Sequence, residues 1–188
     1  MSEPIREAEP SSAVVVAVAS DSGHHFSKPI RDRIELVAGL GVEGDAHAGS
    51  TDQHRFHRRW DKNRPNLRQV HLIHAELFDE VALDGFALKP GAMGENITTR
   101  GVDLLGLPHG TVLRIGGAEI EVTGLRNPCV LIDRMTPGLR GQMVRRHQDG
   151  TIERRSGIMG VVRAGGPVQA GDGIDIELPE VHEPLQPV

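Results

Sequence analysis

The sequence predicts a mainly β fold: a closed or nearly closed β-barrel with a few short helices. Three observations lead there: many short apolar runs, little helical periodicity, and 23 glycines among 188 residues, well above the usual share of about 7%. Such enrichment favours turn-rich β structure with closely approaching backbones. A chain of this length suits one domain with a real hydrophobic core. We place that domain at residues 13–178.

The first half of the chain predicts three strands and one helix. The strands are short apolar runs at Ala13–Ser20, Ile34–Val37 and Gln69–Ile73. A helix is predicted over His74–Leu83, where Leu77, Phe78 and Val81 recur at helical spacing.

The second half contains the clearest local signal, a β-hairpin. Its arms are Thr111–Ile115 and Ala118–Thr123, and the second arm alternates apolar and polar residues. Gly116-Gly117 between them supplies the positive φ that a tight hairpin needs. Further strands are predicted at Ile158–Val162 and Ile174–Leu178, and the intervening AGGPVQAGDG is a run of turn residues.

The two ends of the chain lack core-forming patterns. Residues 1–12 carry acids and no apolar segment, so we interpret them as a disordered arm that is not a signal peptide. Residues 179–188 combine prolines with acids and predict a frayed tail. No apolar run reaches the length of about 18 residues that a membrane span needs. We expect a soluble, cytoplasmic protein that does not bind membranes.

Charge and aromatic content disfavour nucleic-acid binding. The net charge is −5, and there are four Phe, one Trp and no Tyr, too few for a base-stacking platform. The exception is Arg55–Arg68, which holds six Lys or Arg against one Asp. This basic run predicts either a solvated loop or a rim that attracts a phosphorylated small molecule.

Cys129 is the only cysteine, which excludes an internal disulfide and a four-cysteine metal cage. Asn127-Pro128 predicts a turn just before it, and VLIDRM after it can begin a helical turn. A cysteine near a helix N-terminus, with Arg126, Arg134 and Arg140 close in sequence, would be favoured as thiolate. Such a thiolate can be a nucleophile, a sulfur carrier or a soft metal ligand. A buried, inert thiol is the alternative.

Two glycine loops are candidates for ligand binding. Gly39–Gly44 matches G-x-G-x-x-G, but no helical pattern follows it, so we reject a dinucleotide fold. We interpret it as a corner that presents Asp45 and His47, or as a solvated loop. The second loop, Gly91–Asn96, includes Gly94 and Glu95.

Small residues in that second loop would let backbone N–H groups approach an anion. Asn96, Thr98 and Thr99 add neutral hydrogen-bonding side chains. The combination suits a phosphate or a pterin-like ligand, and an ordinary turn before a strand explains it equally well.

Ten histidines raise the question of a metal site. The pairs His71/His74 and His54/His57 have H-x-x-H spacing, and His24 and His25 are adjacent. None matches a zinc motif, so we do not predict a dedicated histidine–zinc site.

Taken together, these segments resemble the MOSC family, named for the C-terminal domain of molybdenum cofactor sulfurase, in its standalone bacterial form. The resemblance spans roughly residues 14–178 and is most specific in GENIT, TGLRNPC and the final G-V-x-x-G-D pattern. Its stretches are Ser27–Pro29, Gly39–Gly49, Arg68–Glu80, Pro90–Cys129 and Gly157–Ile176.

The resemblance implies a barrel related to the one inserted in pyruvate kinase, and a molybdenum cofactor (Mo-molybdopterin). It implies that Cys129 is the functional thiol, either as molybdenum ligand or as carrier of a persulfide. Arg126, Asn127 and Asn96 match motif positions that would line the pterin or its phosphate. Weaker correspondences are Lys28, Asp45, His47, Thr98 and Thr99, with Gly94 and Glu95 in the same loop.

The chain has no cysteine desulfurase domain, so no pyridoxal phosphate is expected in it. A separate redox partner or a cysteine desulfurase would supply electrons or sulfur, and an oligomer remains open.

Three functional hypotheses follow. The leading one is an oxidoreductase that binds the molybdenum cofactor through Cys129 and reduces small N-hydroxylated compounds. The second is a sulfur-transfer module that holds a persulfide on Cys129. The third is a non-enzymatic interaction domain that uses Arg55–Arg68.

Overall fold

The computed structural model describes residues 13–52 and 63–188, in which short strands greatly outnumber helices. The three helices are α1 (Glu76–Leu83), α2 (Leu131–Met135) and α3 (Leu139–Gln142), and a 3-10 turn covers Leu104–Gly106. The strands are β1 (Val14–Ala19), β2 (Ile30–Arg31), β3 (Arg33–Val37), β4 (Gly41–Val42), β5 (Val70–His74), β6 (Ile97–Arg100), β7 (Val112–Ile115), β8 (Ala118–Leu125), β9 (Val144–Arg146), β10 (Ile152–Arg154), β11 (Ile158–Ala164), β12 (Gly166–Gln169) and β13 (Ile174–Glu177).

Eight of these strands form one sheet in the order β13-β7-β8-β11-β5-β6-β1-β2. Its neighbouring strands are antiparallel except for the parallel pair β5–β6. A three-stranded sheet, β12-β3-β4, and the hairpin β9–β10 are separate. The mainly β class with a few short helices is therefore confirmed.

Barrel closure is not confirmed, because no sheet in the described part of the chain closes on itself. The start of β1 meets the segment before β13 at an isolated bridge between Val14 and Gly173, flanked by hydrogen bonds from Val15 N to Asp172 O and from Ile174 N to Ala13 O, both 2.9 Å. Gly171 has φ +93°, in the left-handed region, so the chain turns there and β13 begins only at Ile174.

The elements predicted from the sequence are present with small shifts at their ends. Gly116 adopts φ +56° between β7 and β8, as the hairpin prediction requires. The AGGPVQAGDG run is only partly turn, because β12 lies inside it and pairs with β3. Pro167 is tolerated there because β12 has no second partner strand, so no ladder hydrogen bond from its nitrogen is needed.

The core has two parts. The larger one, including Leu36, Leu72 and Ile120, is formed by residues of both the main sheet and the three-stranded sheet. The smaller one lies under the helices and includes Leu77 and Ile132. Cys129 packs against the edge of this second cluster, so the site described below lies where the helical side of the molecule meets the ends of the strands.

The C-terminal tail is not frayed at its end. Leu185 is buried in the larger core. The backbone N–H of Leu125 donates to Gln186 O at 2.9 Å, and the N–H of Val188 donates to Leu125 O at 3.2 Å. Burial of Leu185 stabilises this attachment. The composition of the tail, rich in prolines and acids, does not predict it. The predicted N-terminal arm, residues 1–12, lies outside the described residues.

In the described ranges, no helix has both the length and the apolar character needed to cross a bilayer.

Candidate functional site

A cavity of about 400 Å³ opens beside Cys129, within the range of small-molecule sites. Seven of the residues predicted from the sequence line it: Lys28, His47, Gly94, Asn96, Arg126, Asn127 and Cys129. Asp45, Glu95, Thr98 and Thr99 do not line it. Segments far apart in sequence meet here: the loop before β2, the loop after β4, the entry to β6 and the end of β8.

Cys129 is half-buried and faces this cavity. It comes two residues before α2, and its carbonyl oxygen accepts a hydrogen bond from Ile132 N at 3.2 Å. The predicted helical turn after the N-P-C segment is therefore present. One side of the cysteine packs on the apolar cluster under the helices, and the sulfur remains reachable from the cavity.

Arg126 is the cation closest in sequence to the thiol, and its position is fixed. Its backbone N–H donates to Gly157 O at 3.0 Å, and its guanidinium lies over the Phe26 ring, with Cζ 5.7 Å from the centroid. Its Nη1 is shielded from solvent and has no hydrogen-bond partner in the described part of the chain. Burial lowers the pKa of Arg126, while the nearby Cys129 acts in the opposite direction. A buried donor of this kind is costly unless a ligand accepts from it.

Lys28 and Asp45 form a buried ion pair at the base of the cavity. The Lys28 Nζ to Asp45 Oδ2 distance is 2.7 Å, and the two side chains are 4% and 2% exposed. Burial lowers the pKa of Lys28, and the Asp45 carboxylate opposes this change. Lys28 reaches the cavity wall, whereas Asp45 stands behind it.

Asp45 connects the segments around the site rather than facing a ligand. Oδ2 also accepts hydrogen bonds from Asn96 Nδ2 at 3.1 Å and from Asp21 N at 3.3 Å. Oδ1 accepts from the His47 backbone N–H at 3.0 Å. Burial alone would raise the pKa of Asp45, but hydrogen bonds from His47 and the charge of Lys28 outweigh it and lower that pKa.

The glycine loop at 91–94 does not offer free backbone amides to an anion. Gly91 N and Met93 N donate to the two carboxylate oxygens of Glu95, at 2.6 and 3.0 Å, and Gly94 N donates to Gly91 O at 3.1 Å. Glu95 is fully buried; burial raises its pKa, and these hydrogen bonds oppose the rise. The carboxylate thus occupies the position that the sequence suggested for a phosphate.

Asn96 joins three strands at the cavity wall. Its Nδ2 donates to Ala19 O at 3.2 Å, and its Oδ1 accepts from His71 N at 3.2 Å. Thr98 Oγ1 donates to Glu95 at 3.1 Å, and Thr99 Oγ1 donates to Ile73 O at 3.5 Å. The two threonines therefore support the loop and strand from behind the cavity.

His71 and His47 present imidazoles to the cavity. His71 Nε2 lies 2.7 Å from Ser156 O. Burial, followed by the charge of Arg126, lowers the pKa of His71 well below its usual value, so this ring is neutral near pH 7 and Nε2 donates. His47 Nδ1 lies 3.3 Å from Asp45 Oδ1, and its ring meets that of His24 edge to face, with centroids 5.6 Å apart.

The end of the basic run, which the sequence analysis offered as a rim for a phosphorylated ligand, contributes to the cavity wall. Asn66 and Arg68 line the cavity; they belong to the end of the basic run that the structure describes, and residues 53–62 lie outside the described ranges. Asn66 Nδ2 donates to His47 O at 3.0 Å and to Gly49 O at 2.9 Å, which fixes the loop that carries His47. The net positive charge of the run was the signal available for Arg68.

Aromatic and thioether side chains complete the wall: Phe26 and Met159 line the cavity. Neither belongs to a motif with a chemical signature, so nothing in the sequence singled them out. His54 and His57, the second H-x-x-H pair, lie outside the described residues. Within residues 13–52 and 63–188, no three His, Cys, Asp or Glu side chains are arranged to hold a metal ion.

A second cavity, of about 580 Å³, lies on the other side of β5. His74 lines it, whereas His71 lines the first, so the H-x-x-H pair is divided between the two sides of the strand. Its two arginines pair with carboxylates: Glu80 binds both Arg155 and Arg145, and Arg145 also reaches Glu153 at 3.7 Å.

Comparison with known proteins places this geometry in a family. The model of the MOSC domain family matches residues 24–175. A search of curated protein sequences finds no match.

Similar folds occur in solved structures of low sequence identity. The YuaD protein from Bacillus subtilis is 23% identical, with a TM-score of 0.73 over 90% of this chain and 97% of that one. YiiM from Escherichia coli is 20% identical, with a TM-score of 0.59 over 92% and 73%. YiiM from Geobacillus stearothermophilus is 16% identical, with a TM-score of 0.57 over 93% and 77%. At these identities the likeness concerns the fold.

Proposed function

The chain belongs to the MOSC domain family, and from that premise we propose that it is an oxidoreductase that binds the molybdenum cofactor with Cys129 as a ligand of the metal. The proposal includes a small N-hydroxylated compound as substrate and a separate protein as electron donor. The observation that carries it is the cavity that Cys129 lines together with the cations Lys28, Arg68 and Arg126.

The residues of the cavity fit such a group. A thiolate is a soft ligand for a transition metal, and because Cys129 is the only cysteine, the other metal ligands would come from the cofactor itself. The cavity wall carries three cations, Lys28, Arg68 and Arg126, against one carboxylate, Asp52. Local positive charge of this kind attracts an anionic cofactor to a protein whose net charge is −5.

Each side chain then has a task that follows from its contacts. Arg126 would donate through its guanidinium group to a phosphate or another anionic oxygen of the cofactor. Lys28 would add a fixed charge, because Asp45 holds its ammonium group in place. Asn127, whose Oδ1 accepts from Arg154 Nε at 3.0 Å, keeps its amide N–H groups for the ligand. Asn96 spans three strands and would set the shape of the pterin-facing wall.

The cofactor, when bound, would supply the two-electron redox chemistry. The protein would orient it through Cys129 and Arg126 and shield part of it with Phe26 and Met159.

The test is metal analysis of the protein expressed in a host that makes the cofactor. Wild type should retain molybdenum, and Cys129→Ser should lose most of it while keeping the same far-UV circular dichroism. Arg134→Ser is the matched control, because Arg134 lies on α2 beside the loop but does not line the cavity. Molybdenum near zero in wild type, unchanged by Cys129→Ser, would contradict the proposal.

The second candidate is a sulfur carrier that holds a persulfide on Cys129. The half-buried sulfur at a cavity wall supports it, since a reachable thiol can accept sulfur from a desulfurase. Intact mass spectrometry after incubation with a cysteine desulfurase and cysteine tests it: one added sulfur, absent in Cys129→Ser, is expected. An unchanged mass would exclude this role.

A further inference from the structure

His47 has a position that none of the roles above requires. It lines the cavity that Cys129 faces, yet it follows Asp45 by only two residues in a tight turn, where its backbone N–H and its ring both meet the same carboxylate oxygen. The distances to Asp45 Oδ1 are 3.0 Å from N and 3.3 Å from Nδ1. The imidazole is thus oriented by a fixed acceptor.

Asp45 can serve as that acceptor because it is held as a carboxylate. The Lys28 ammonium at 2.7 Å and the Asn96 amide at 3.1 Å occupy its other oxygen. A buried carboxylate with these donors remains ionised. His47 then carries its proton on Nδ1 when neutral, and Nε2 is the ring nitrogen left for a ligand.

Two side chains contact the His47 ring. Asp45 lies on its Nδ1 side and the His24 ring packs against it at right angles. The carbonyl of His47 is bound by Asn66 Nδ2 at 3.0 Å, so the backbone cannot swing the ring away. The side chain is 39% exposed, which leaves it open to exchange protons with solvent.

We propose that the Asp45–His47 pair delivers the proton to the departing oxygen of the substrate. This rests on the proposed function, in which an N–OH group becomes N–H. The N–O bond breaks, two electrons come from the reduced donor protein through the bound cofactor, and two protons complete one N–H bond and one water. His47, protonated on both ring nitrogens, gives the Nε2 proton to the leaving oxygen, keeps the Nδ1 proton on the Asp45 side, and is reprotonated on Nε2 from solvent. A positioned acid of this kind contributes typically about 10²- to 10⁴-fold to a rate.

The first test uses the protein without any cofactor. Nitrogen-15 NMR of the imidazoles should report His47 protonated on Nδ1 in its neutral form. His147 is the matched control, since it contacts Glu153 through Nε2 at 3.1 Å outside the cavity and should show the opposite tautomer. A neutral His47 protonated on Nε2 would overturn the proposal.

The second test is kinetic, with the cofactor-loaded protein, a chemically reduced viologen as electron donor and benzamidoxime as probe. His47→Asn keeps a donor near the Nδ1 position but cannot deliver a proton from Nε2. We expect kcat to fall by about 100-fold with KM nearly unchanged, and the decline of wild-type kcat with rising pH to disappear. His147→Asn should behave as wild type.

These outcomes separate this inference from the function it rests on. If Cys129→Ser loses molybdenum and turnover while His47→Asn retains wild-type kcat and pH dependence, the oxidoreductase stands and the role of His47 is wrong. If wild type neither binds the cofactor nor turns over, the proposed function itself fails. The kinetic comparison supports the role of His47 only when His47→Asn and wild type contain equal amounts of molybdenum.

Discussion

The two cavities on either side of β5 contain similar kinds of residues but arrange them differently. Around the first, cations outnumber carboxylates, and Arg126 Nη1 has no partner among the described residues. Around the second, four carboxylates face two arginines, and the arginines are bound to Glu80 and Glu153. His74 Nδ1 and Glu76 Oε2, on residues that line it, are buried without a partner among the described residues. The two cavities therefore differ in the sign of their charge, and the first is the one that would attract an anionic ligand.

The largest effect of a substitution is expected on the free energy of unfolding, at the Lys28–Asp45 ion pair beneath the first cavity. Lys28→Met would leave the Asp45 carboxylate buried without its cation, and breaking such a pair typically costs about 3–5 kcal/mol. Urea unfolding monitored by circular dichroism measures the loss. The double variant Lys28→Met/Asp45→Asn should recover part of it, because the buried charge is gone. A loss below about 1 kcal/mol in the single variant would mean that the pair is solvated.

The next largest effect is expected on ligand affinity, which a substitution at the first cavity should lower and one at the second should not. Arg126→Met removes the unpartnered donor, and loss of one charge-assisted hydrogen bond costs about 1.5–3 kcal/mol, or roughly 10- to 100-fold in affinity. Isothermal titration with the isolated molybdenum cofactor measures it. Arg145→Met, at the second cavity, should leave that affinity unchanged. Equal effects of the two substitutions would remove the distinction between the cavities.

The two histidines of H-x-x-H should differ in their effect on the pH dependence of stability. Burial lowers the pKa of both, and that of His71 well below its usual value. Below about pH 6.5, His71 therefore binds a proton in the unfolded state but not in the folded state. The free energy of unfolding then falls as the pH drops, by up to about 1.4 kcal/mol per pH unit.

Unfolding free energies measured between pH 7 and pH 5 check this prediction. His71→Gln should flatten the slope more than His74→Gln does. The pair Lys28–Asp45 does not contribute in this window, because Asp45, with its lowered pKa, loses its stabilising charge only below the unfolded value of about 3.9. A slope unaffected by His71→Gln would show that the imidazole is charged in the folded state.

The smallest effect is expected at the surface pairs of the second cavity. Arg145 and Glu80 are each about half exposed, at 51%, and such pairs contribute at most about 1 kcal/mol. Arg145→Met should therefore change the midpoint of thermal unfolding only slightly. A destabilisation comparable to that of Lys28→Met would contradict the view that these charges are screened.

The sequence predicted the parts of the fold that local patterns determine. The β7–β8 hairpin, α1 and the strand positions follow from alternation, helical spacing and Gly116. Barrel closure and the inclusion of Gly166–Gln169 in a strand depend on pairing between distant segments. No local pattern encodes such pairing, so the sequence alone does not determine these two features.

The candidate site was predictable to a similar degree. Cys129, Arg126 and Asn127 stand in one motif, and the structure places all three at one cavity. The environment of Glu95 could not be foreseen, because its carboxylate turns back onto the amides of Gly91 and Met93. Asn66 and Met159 reach the cavity only through tertiary packing.

The central claim is that Cys129 is a ligand of a cofactor-bound metal, and X-ray absorption spectroscopy at the molybdenum edge tests it most directly. The protein loaded with cofactor should show one more sulfur neighbour of molybdenum than Cys129→Ser loaded in the same way. An identical sulfur count in the two samples would contradict the account.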